Sequence, residues 1–440
     1  MTACSSKDDN TTPAEPDPPA TPATPFAVRV PQANWPLTAD QQAMQLRLND
    51  FAFRLFRETA QTGNDDTENS QKATSIVLSP LSVGYALGMA ALACDGKPLA
   101  DFNQMMGLEA NDSATVHDLF ASLMAHLPEM DASVAIHLAN AFYYNANRTD
   151  IQLNQAYRQA LITAYGADCE AMPFTDDATL DHINDWCNRQ TNGFIPKVLE
   201  KKDMMNPNLV SYLLNAIYFK GKWASQFESE LTREEDFTCE DGTKVKVPMM
   251  CLPEASHFTY AEDSICQAVR LPYHDWESHV ERKGEFGMTV LLPQKGKTID
   301  DILSVLSAHW LKNLETRMLE SGYSQVMVQL PRFETKVQIS LTPPMRQLGL
   351  ASWLDGDNIL GMVQELNGSP HGVHVSKAFQ VARIKVNESG TEAGAVTVMA
   401  FTDKAMLEDP IFFRADHPFV YLLTEKSTGS ILFVGTYVGD

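Results

Sequence analysis

Residues Glu388 to Thr397, Glu-Ser-Gly-Thr-Glu-Ala-Gly-Ala-Val-Thr, constrain this chain more than any other stretch. They follow an alternating, strand-like run (Val381, Arg383, Ile384, Val386) and lead into a polar segment ending near Pro410. Small residues recur at Thr391, Ala393, Ala395 and Thr397, every second position, which is the period of one face of a β-strand. Yet Gly390 and Gly394 weaken an ordinary strand, because glycine costs backbone entropy and packs nothing. A segment patterned as a strand but kept loose reads as a strand in waiting. It suits later entry into a crowded sheet, where large side chains on the inner face would clash. Taken alone, the stretch also fits a Gly/Ala-rich surface loop.

Other motifs stand in a definite order around it. Ser75-Ile-Val-Leu-Ser-Pro-Leu-Ser-Val-Gly-Tyr-Ala-Leu, through Leu87, reads as a buried helix opening on a Ser-Pro-x-Ser turn. Leu213-Leu-Asn-Ala-Ile-Tyr-Phe-Lys-Gly-Lys-Trp223 reads as a sheet strand and its following turn. Val247-Pro-Met-Met250, Leu271-Pro-Tyr273, Leu330-Pro-Arg-Phe333 and His417-Pro-Phe419 follow. Each motif is weak alone, but the ordered set resembles the serpin family over about residues 40 to 440. Most members of that family are protease inhibitors that insert a loop into their own sheet.

The local patterns predict an α+β fold, since helices and strands occur without strict βαβ alternation. Thr38 and Gln41 form a capping box, and Met44, Leu48, Phe51, Leu55 and Phe56 follow at helical spacing. Ile183 and Trp186 sit in a helical stretch before Thr191-Asn-Gly193. Leu319 to Phe333 and Val373 to Val386 read as strands. Phe419 to Leu423 and Ile431 to Tyr437, around a Lys-Ser-Thr-Gly turn, read as a buried hairpin. The resemblance sharpens this to three β-sheets, about eight or nine helices and an exposed reactive-centre loop. Length alone, 440 residues with 44% hydrophobic content, favours two domains. With no internal repeat or mid-chain linker, and family motifs in both halves, the expectation is one domain over residues 38–440.

Roles for individual residues come from the same resemblance. Glu388 and Arg332 match the pair at the top of the sheet where insertion begins, near Trp223. Ser79, Ser82 and Asn215 match the polar cluster beneath the centre of the sheet. Gln380 stands where the family usually has a histidine, and glutamine hydrogen-bonds without titrating near neutrality. Thr391, Ala393, Ala395 and Thr397 are expected to face the core after insertion; Glu392, Gly394, Val396 and Val398 take the other side. The reactive residue falls roughly sixteen positions after the hinge glutamate, at Lys404, with Ala405 following. Lysine suits trypsin-like serine endopeptidases. Met399, Ala400, Phe401, Met406 and Leu407 offer sites for elastase- or chymotrypsin-like enzymes, and cysteine proteases are a further class. The expected partner is therefore a target protease, held covalently; a non-inhibitory binding protein of the same fold is the alternative.

Net charge is −22, from 56 acidic against 34 basic residues, which disfavours nucleic acid and other anionic polymers as partners. No Lys or Arg lies between residues 98 and 147, and Ala114 to Met124 replaces the basic helix of heparin-activated serpins. The expectation is a monomer without heparin activation, cofactor or metal. No Gly-x-Ser-x-Gly elbow, His-Glu-x-x-His motif or Gly-rich phosphate loop supports an enzyme. His371 and His374, and His274 and His279, lack a carboxylate at ligand spacing, although a Ser-His-Asp triad assembles in space and escapes sequence inspection.

Residues 1–37 are a different material. The Pro/Thr/Ala tract from Thr11 to Pro25 cannot bury a core and is expected to be extended. Met1-Thr-Ala-Cys4-Ser-Ser-Lys-Asp-Asp resembles the end of a bacterial lipoprotein signal, with Cys4 as the lipid-bearing residue and a possible membrane tether. The charged and apolar segment of a signal peptide is not in this sequence. An exported protein is expected on this reading, either a lipoprotein at the cell surface or facing the periplasm, or extracellular. The other six of the seven cysteines show no CxxC spacing and read as buried thiols more than as a disulfide framework, with pairing left open because an exported protein meets an oxidising compartment.

Overall fold

Thr38 and Gln41 open the first helix as reciprocal caps. Thr38 donates its N–H to Gln41 Oε1 at 3.0 Å, and Gln41 donates its N–H to Thr38 Oγ1 at 3.2 Å. Two donors that a helix end leaves unmet are thereby satisfied. The helix, α1 (Ala39–Thr62), buries Met44, Leu48, Phe51, Leu55 and Phe56 along one side. The computed structural model describes residues 32–62, 74–109, 112–276, 283–391 and 410–440. Cys4, the 11–25 tract, Ala393, Ala395, Thr397, Lys404 and Ala405 lie outside the described residues.

Three sheets, of ten, six and three strands, organise the chain. The largest holds the expected hairpin, Phe419–Glu425 against Ser430–Tyr437, with every residue of both strands buried. The six-stranded central sheet contains β1 (Ala135–Asn145), β2 (Asp168–Met172), β3 (Ser211–Lys222), β4 (Phe333–Ser340), β5 (Phe379–Asn387) and β6 (Gly390–Thr391), in the order β4-β5-β6-β3-β1-β2. One face of this sheet rests on α2 (Pro80–Ala91), buried at all but one position. Ser79 caps α2 through its side chain, and Pro80 takes the first turn, where the missing N–H costs nothing. The opposite face carries α3 (Asp177–Gln190), whose Ile183, Trp186 and Cys187 pack on Ala141, Tyr143 and Ala216.

Two strand expectations need revision. Leu319 belongs to the helix Ala308–Glu320; Gly322, at a φ of 68°, ends it, and the strand starts at Tyr323. The run from Val373 to Val386 is two strands, Pro370–Val373 and β5, because the intervening Val375 N–H turns aside to bond the Trp353 carbonyl. Ten α-helices occur among the described residues, close to the expected number; the shortest, Thr342–Gln347 and Ala351–Leu354, have six and four residues. No described helix is long and apolar enough to cross a membrane.

Cys94, Cys187, Cys239 and Cys266 are buried, Cys169 and Cys251 half-buried, and all six are free thiols. Burial pushes Cys187 and Cys266 up to about 12 and Cys169 to about 11, so thiolate is scarce at neutral pH. In a Cys4→Ser chain, Ellman's reagent in guanidinium without reductant should titrate all six, while the native fold reacts slowly. Two thiols missing from the denatured count would reveal a disulfide.

Candidate functional site: the opening of the central sheet

Where β5 ends, Asn387 folds the chain back on itself. Its Oδ1 accepts the N–H groups of Ser389 and Gly390 at 3.1 and 3.2 Å. This is the side-chain mimicry of a backbone turn that asparagine provides. Gly390 has a φ of 155°, and a Cβ there would lie 2.1 Å from the Gly221 carbonyl oxygen. Only glycine fits so close an approach. The chain then enters the sheet as β6, antiparallel to both neighbours. Gly390 and Thr391 face Lys222 and Gly221 of β3 on one side and Asn387 and Val386 of β5 on the other.

A polar and aromatic frame holds this entry point. Trp223 is buried and stacks on Tyr273, with ring centroids 4.4 Å apart. Trp223 donates its indole N–H to the Asn387 carbonyl and its backbone N–H to the Ser389 carbonyl, both at 2.9 Å. Phe227 donates its N–H to the Glu388 carbonyl at 3.0 Å. Thr391 is buried, and its Oγ1 lies 2.7 Å from Tyr273 Oη. The Glu388 carboxylate accepts from Thr232 Oγ1 at 2.8 Å and from Arg332 Nη1 at 3.3 Å. Arg332 is half-exposed, so the ion pair itself is worth about 0–1 kcal/mol. Removing Arg332 matters more for what it leaves, a buried carboxylate on one hydroxyl.

Below Thr391, no ladder joins β3 to β5 among the described residues. A cavity of about 910 Å³ separates them, with α2 as its floor. Ser79, Ser82, Asn215 and Gln380 all line it. Gln380 uses both ends of its amide on one residue: Oε1 accepts the Ser79 N–H at 2.8 Å, and Nε2 donates to the Ser79 carbonyl at 3.0 Å. Ser79 Oγ accepts the Ser82 N–H at 3.3 Å. Asn215 stands apart, donating Nδ2 to Asn140 Oδ1 at 2.8 Å and to the Ala139 carbonyl at 3.2 Å. Its Oδ1 is buried and without a hydrogen-bond partner among the described residues. Three of the four expected residues are thus joined, and the fourth faces them across a gap.

Tyr273, Phe227 and Thr232 are members of the frame to which sequence inspection assigned no role. Leu271-Pro-Tyr273 was visible as a motif, but nothing local shows that its hydroxyl meets Thr391, 118 positions away. Space also assembles one Ser-His-Asp group, Ser133, His274 and Asp131. Both oxygens address the same ring nitrogen, Nδ1, at 3.3 and 2.7 Å. A relay needs them on opposite nitrogens, so this is not a nucleophile with its base. His371 and His374 each meet a single carboxylate, Glu365 and Asp357, and no group of three metal ligands occurs among the described residues.

Known proteins are similar to this chain. The family model described as Serpin (serine protease inhibitor) matches residues 46–439. The chain belongs to the serpin family. Human leukocyte elastase inhibitor is 30% identical over 83% of this chain and 93% of its own length. Iripin-2 of Ixodes ricinus is 28% identical over 82% and 87%. Among solved structures, the thermophilic serpin tengpin in its native state superposes with a TM-score of 0.74 at 22% identity, covering 92% of this chain and 97% of its own. That likeness concerns the fold. As a serpin with inhibitory relatives, the chain is assigned to protease inhibition in general, not to an enzymatic activity.

Gln380 offers a test of whether this polar cluster controls opening of the sheet. Its amide does not titrate, whereas an imidazole in its place protonates near pH 6.5. The rate of conversion to a sheet-inserted form on mild heating, measured by native gel between pH 5 and 8, is expected to rise at low pH for Gln380→His relative to wild type. A ratio of the two rates that stays flat across the range would disprove the titration argument.

Proposed function

We propose that this serpin is a suicide-substrate inhibitor of trypsin-like serine endopeptidases, cleaved between Lys404 and Ala405. The observation that carries the reading is β6: two residues already laddered on both sides, at the head of a gap that no described residue fills. In the proposed reaction, the protease serine oxygen bonds to the Lys404 carbonyl carbon, the peptide bond to Ala405 breaks, and the Ala405 amine takes the proton. The freed strand continues down the gap with the acylated protease attached. Distortion of the protease before deacylation completes the trap. The intact fold would persist because opening is slow, which is kinetic stability.

Register supports the direction of each side chain. Each step along the incoming strand is one step back along β3 and β5, so Ala393 comes level with Phe219 and Ile384, and Ala395 with Ile217 and Ala382. All four partners are buried, and laterally paired residues share a face. Small side chains are what that packed layer admits. Glu392, on the other face, comes level with Lys220 and Lys385. Thr397 arrives between Asn215 and Gln380, offering a hydroxyl to the unmet Asn215 Oδ1. Lys404 comes level with Asn208 and Val373, which line the lower end of the cavity.

Trypsin mixed with the protein should yield a covalent band stable in SDS, with mass spectrometry placing the cut after Lys404. A cut after Met406 or Leu407 would correct the register and the target class while leaving a suicide inhibitor. Degradation without complex across a broad protease panel would instead favour the non-inhibitory reading.

Thr391→Arg should convert inhibitor to substrate. Cleavage proceeds at the same bond, but the guanidinium must occupy the buried site beside Tyr273, where an unpaired charge costs several kcal/mol. Glu392→Met, long but uncharged on the outer face, should keep most inhibition. Titration of residual trypsin activity reads the difference, and equal inhibition by both variants contradicts the register.

A further inference from the structure

A buried polar cluster behind the entry point has no role in the foregoing. β3 ends at Lys222, and the chain continues beside Pro272–His274. Trp223 bridges Tyr273, Ala224 donates its N–H to the Pro272 carbonyl, and His274 donates its N–H to the Lys222 carbonyl, the last two at 2.9 Å. The far side of this short segment is fastened to the turn preceding β1. Asp131 Oδ2 accepts from His274 Nδ1 at 2.7 Å, and Asp131 Oδ1 accepts from Ser133 Oγ at 2.6 Å. Ser133 Oγ accepts the Asp275 N–H at 3.0 Å, and the Asp275 carboxylate accepts from Lys222 Nζ at 2.8 Å. The Trp276 ring stands edge-on to His274, centroids 4.4 Å apart.

Asp131 is fully buried and His274 only 6% exposed. A carboxylate at that depth is tolerated when its oxygens are met by donors, and here His274 and Ser133 each meet one. The proton on Nδ1 is fixed by the same fact, since a carboxylate only accepts. What the cluster holds is informative. The residue on one side of His274 is Tyr273, whose hydroxyl meets Thr391. The backbone it bonds is that of Lys222, the ladder partner of Gly390.

We propose that Asp131, His274 and Ser133 are positioning residues for strand entry: they hold Tyr273 and Lys222 where the first two residues of the incoming strand need them. This rests on the inhibitory reading above. With the cluster intact, the strand meets preformed partners on its β3 side. With it broken, the 272–275 segment loses its anchor to the turn before β1, the two entered residues are held less firmly at the head of the gap, the strand behind them adds more slowly, and deacylation overtakes trapping more often.

The test compares wild type, His274→Ala and His274→Asn, whose amide nitrogen reaches the position of Nδ1. The readout is the number of inhibitor molecules consumed per trypsin molecule trapped, alongside the rate of loop cleavage and Tm. His274→Ala should raise the consumption roughly fivefold, the factor for one hydrogen bond lost, with loop cleavage unchanged. His274→Asn should restore the wild-type ratio. Unchanged partition in His274→Ala overturns the proposal, as does a loss that follows Tm equally in both variants. If His274→Ala does not fold, Asp131→Asn takes its place. Should wild type trap no protease, the inhibitory reading fails separately. Uptake of a synthetic peptide copying residues 391–403, followed by native gel, then decides the matter: slower uptake by His274→Ala supports the positioning role, and equal uptake overturns it.

Discussion

Everything in the upper half of the molecule depends on two residues being admitted between two strands. Gly390 and Thr391 separate β5 from β3, and the close approach at Gly390 leaves no space for a side chain. Once that wedge is in place, the strands below it have no described partner across the gap. Such edges are normally paired, covered or blunted, because unmet N–H and C=O groups recruit other strands. Here the edges face each other over an apolar floor and a few polar groups, which is the shape an added strand needs.

The frame around the wedge shows how burial and charge divide the work. Trp223 and Tyr273 supply area and stacking, and each also hydrogen-bonds to the chain that turns in: the Trp223 indole and backbone to Asn387 and Ser389, Tyr273 to Thr391. Glu388 is buried but answered by one hydroxyl and one half-exposed guanidinium.

Much of this was legible in the sequence because the relevant signals are local. The glycine at 390, the capping box at Thr38 and the apolar hairpin at the C-terminus each declare themselves within about ten residues. Strand limits failed where tertiary contacts decide them: Leu319 is drawn into a helix, and Val375 bonds Trp353 instead of extending a ladder. The meeting of Tyr273 with Thr391, and of Asp131 with His274 143 positions away, has no local signature. Nor does the separation of Asn215 from the other polar residues, since sequence names a cluster's members but not which strand each one follows.

That separation has a mechanical meaning. Gln380 ties the start of α2 to β5 through both a donor and an acceptor, so that helix end travels with β4 and β5. Asn215 is tied to Asn140 and Ala139, so it travels with β3, β1 and β2. Among these polar residues no hydrogen bond crosses the gap. The molecule therefore has a fault line that this polar cluster does not span; links that do cross it are Arg383 Nη1 to the Phe194 carbonyl at 3.0 Å and Lys377 Nζ to Asp203 Oδ1 at 2.7 Å, so widening it loads those two contacts as well as apolar surface.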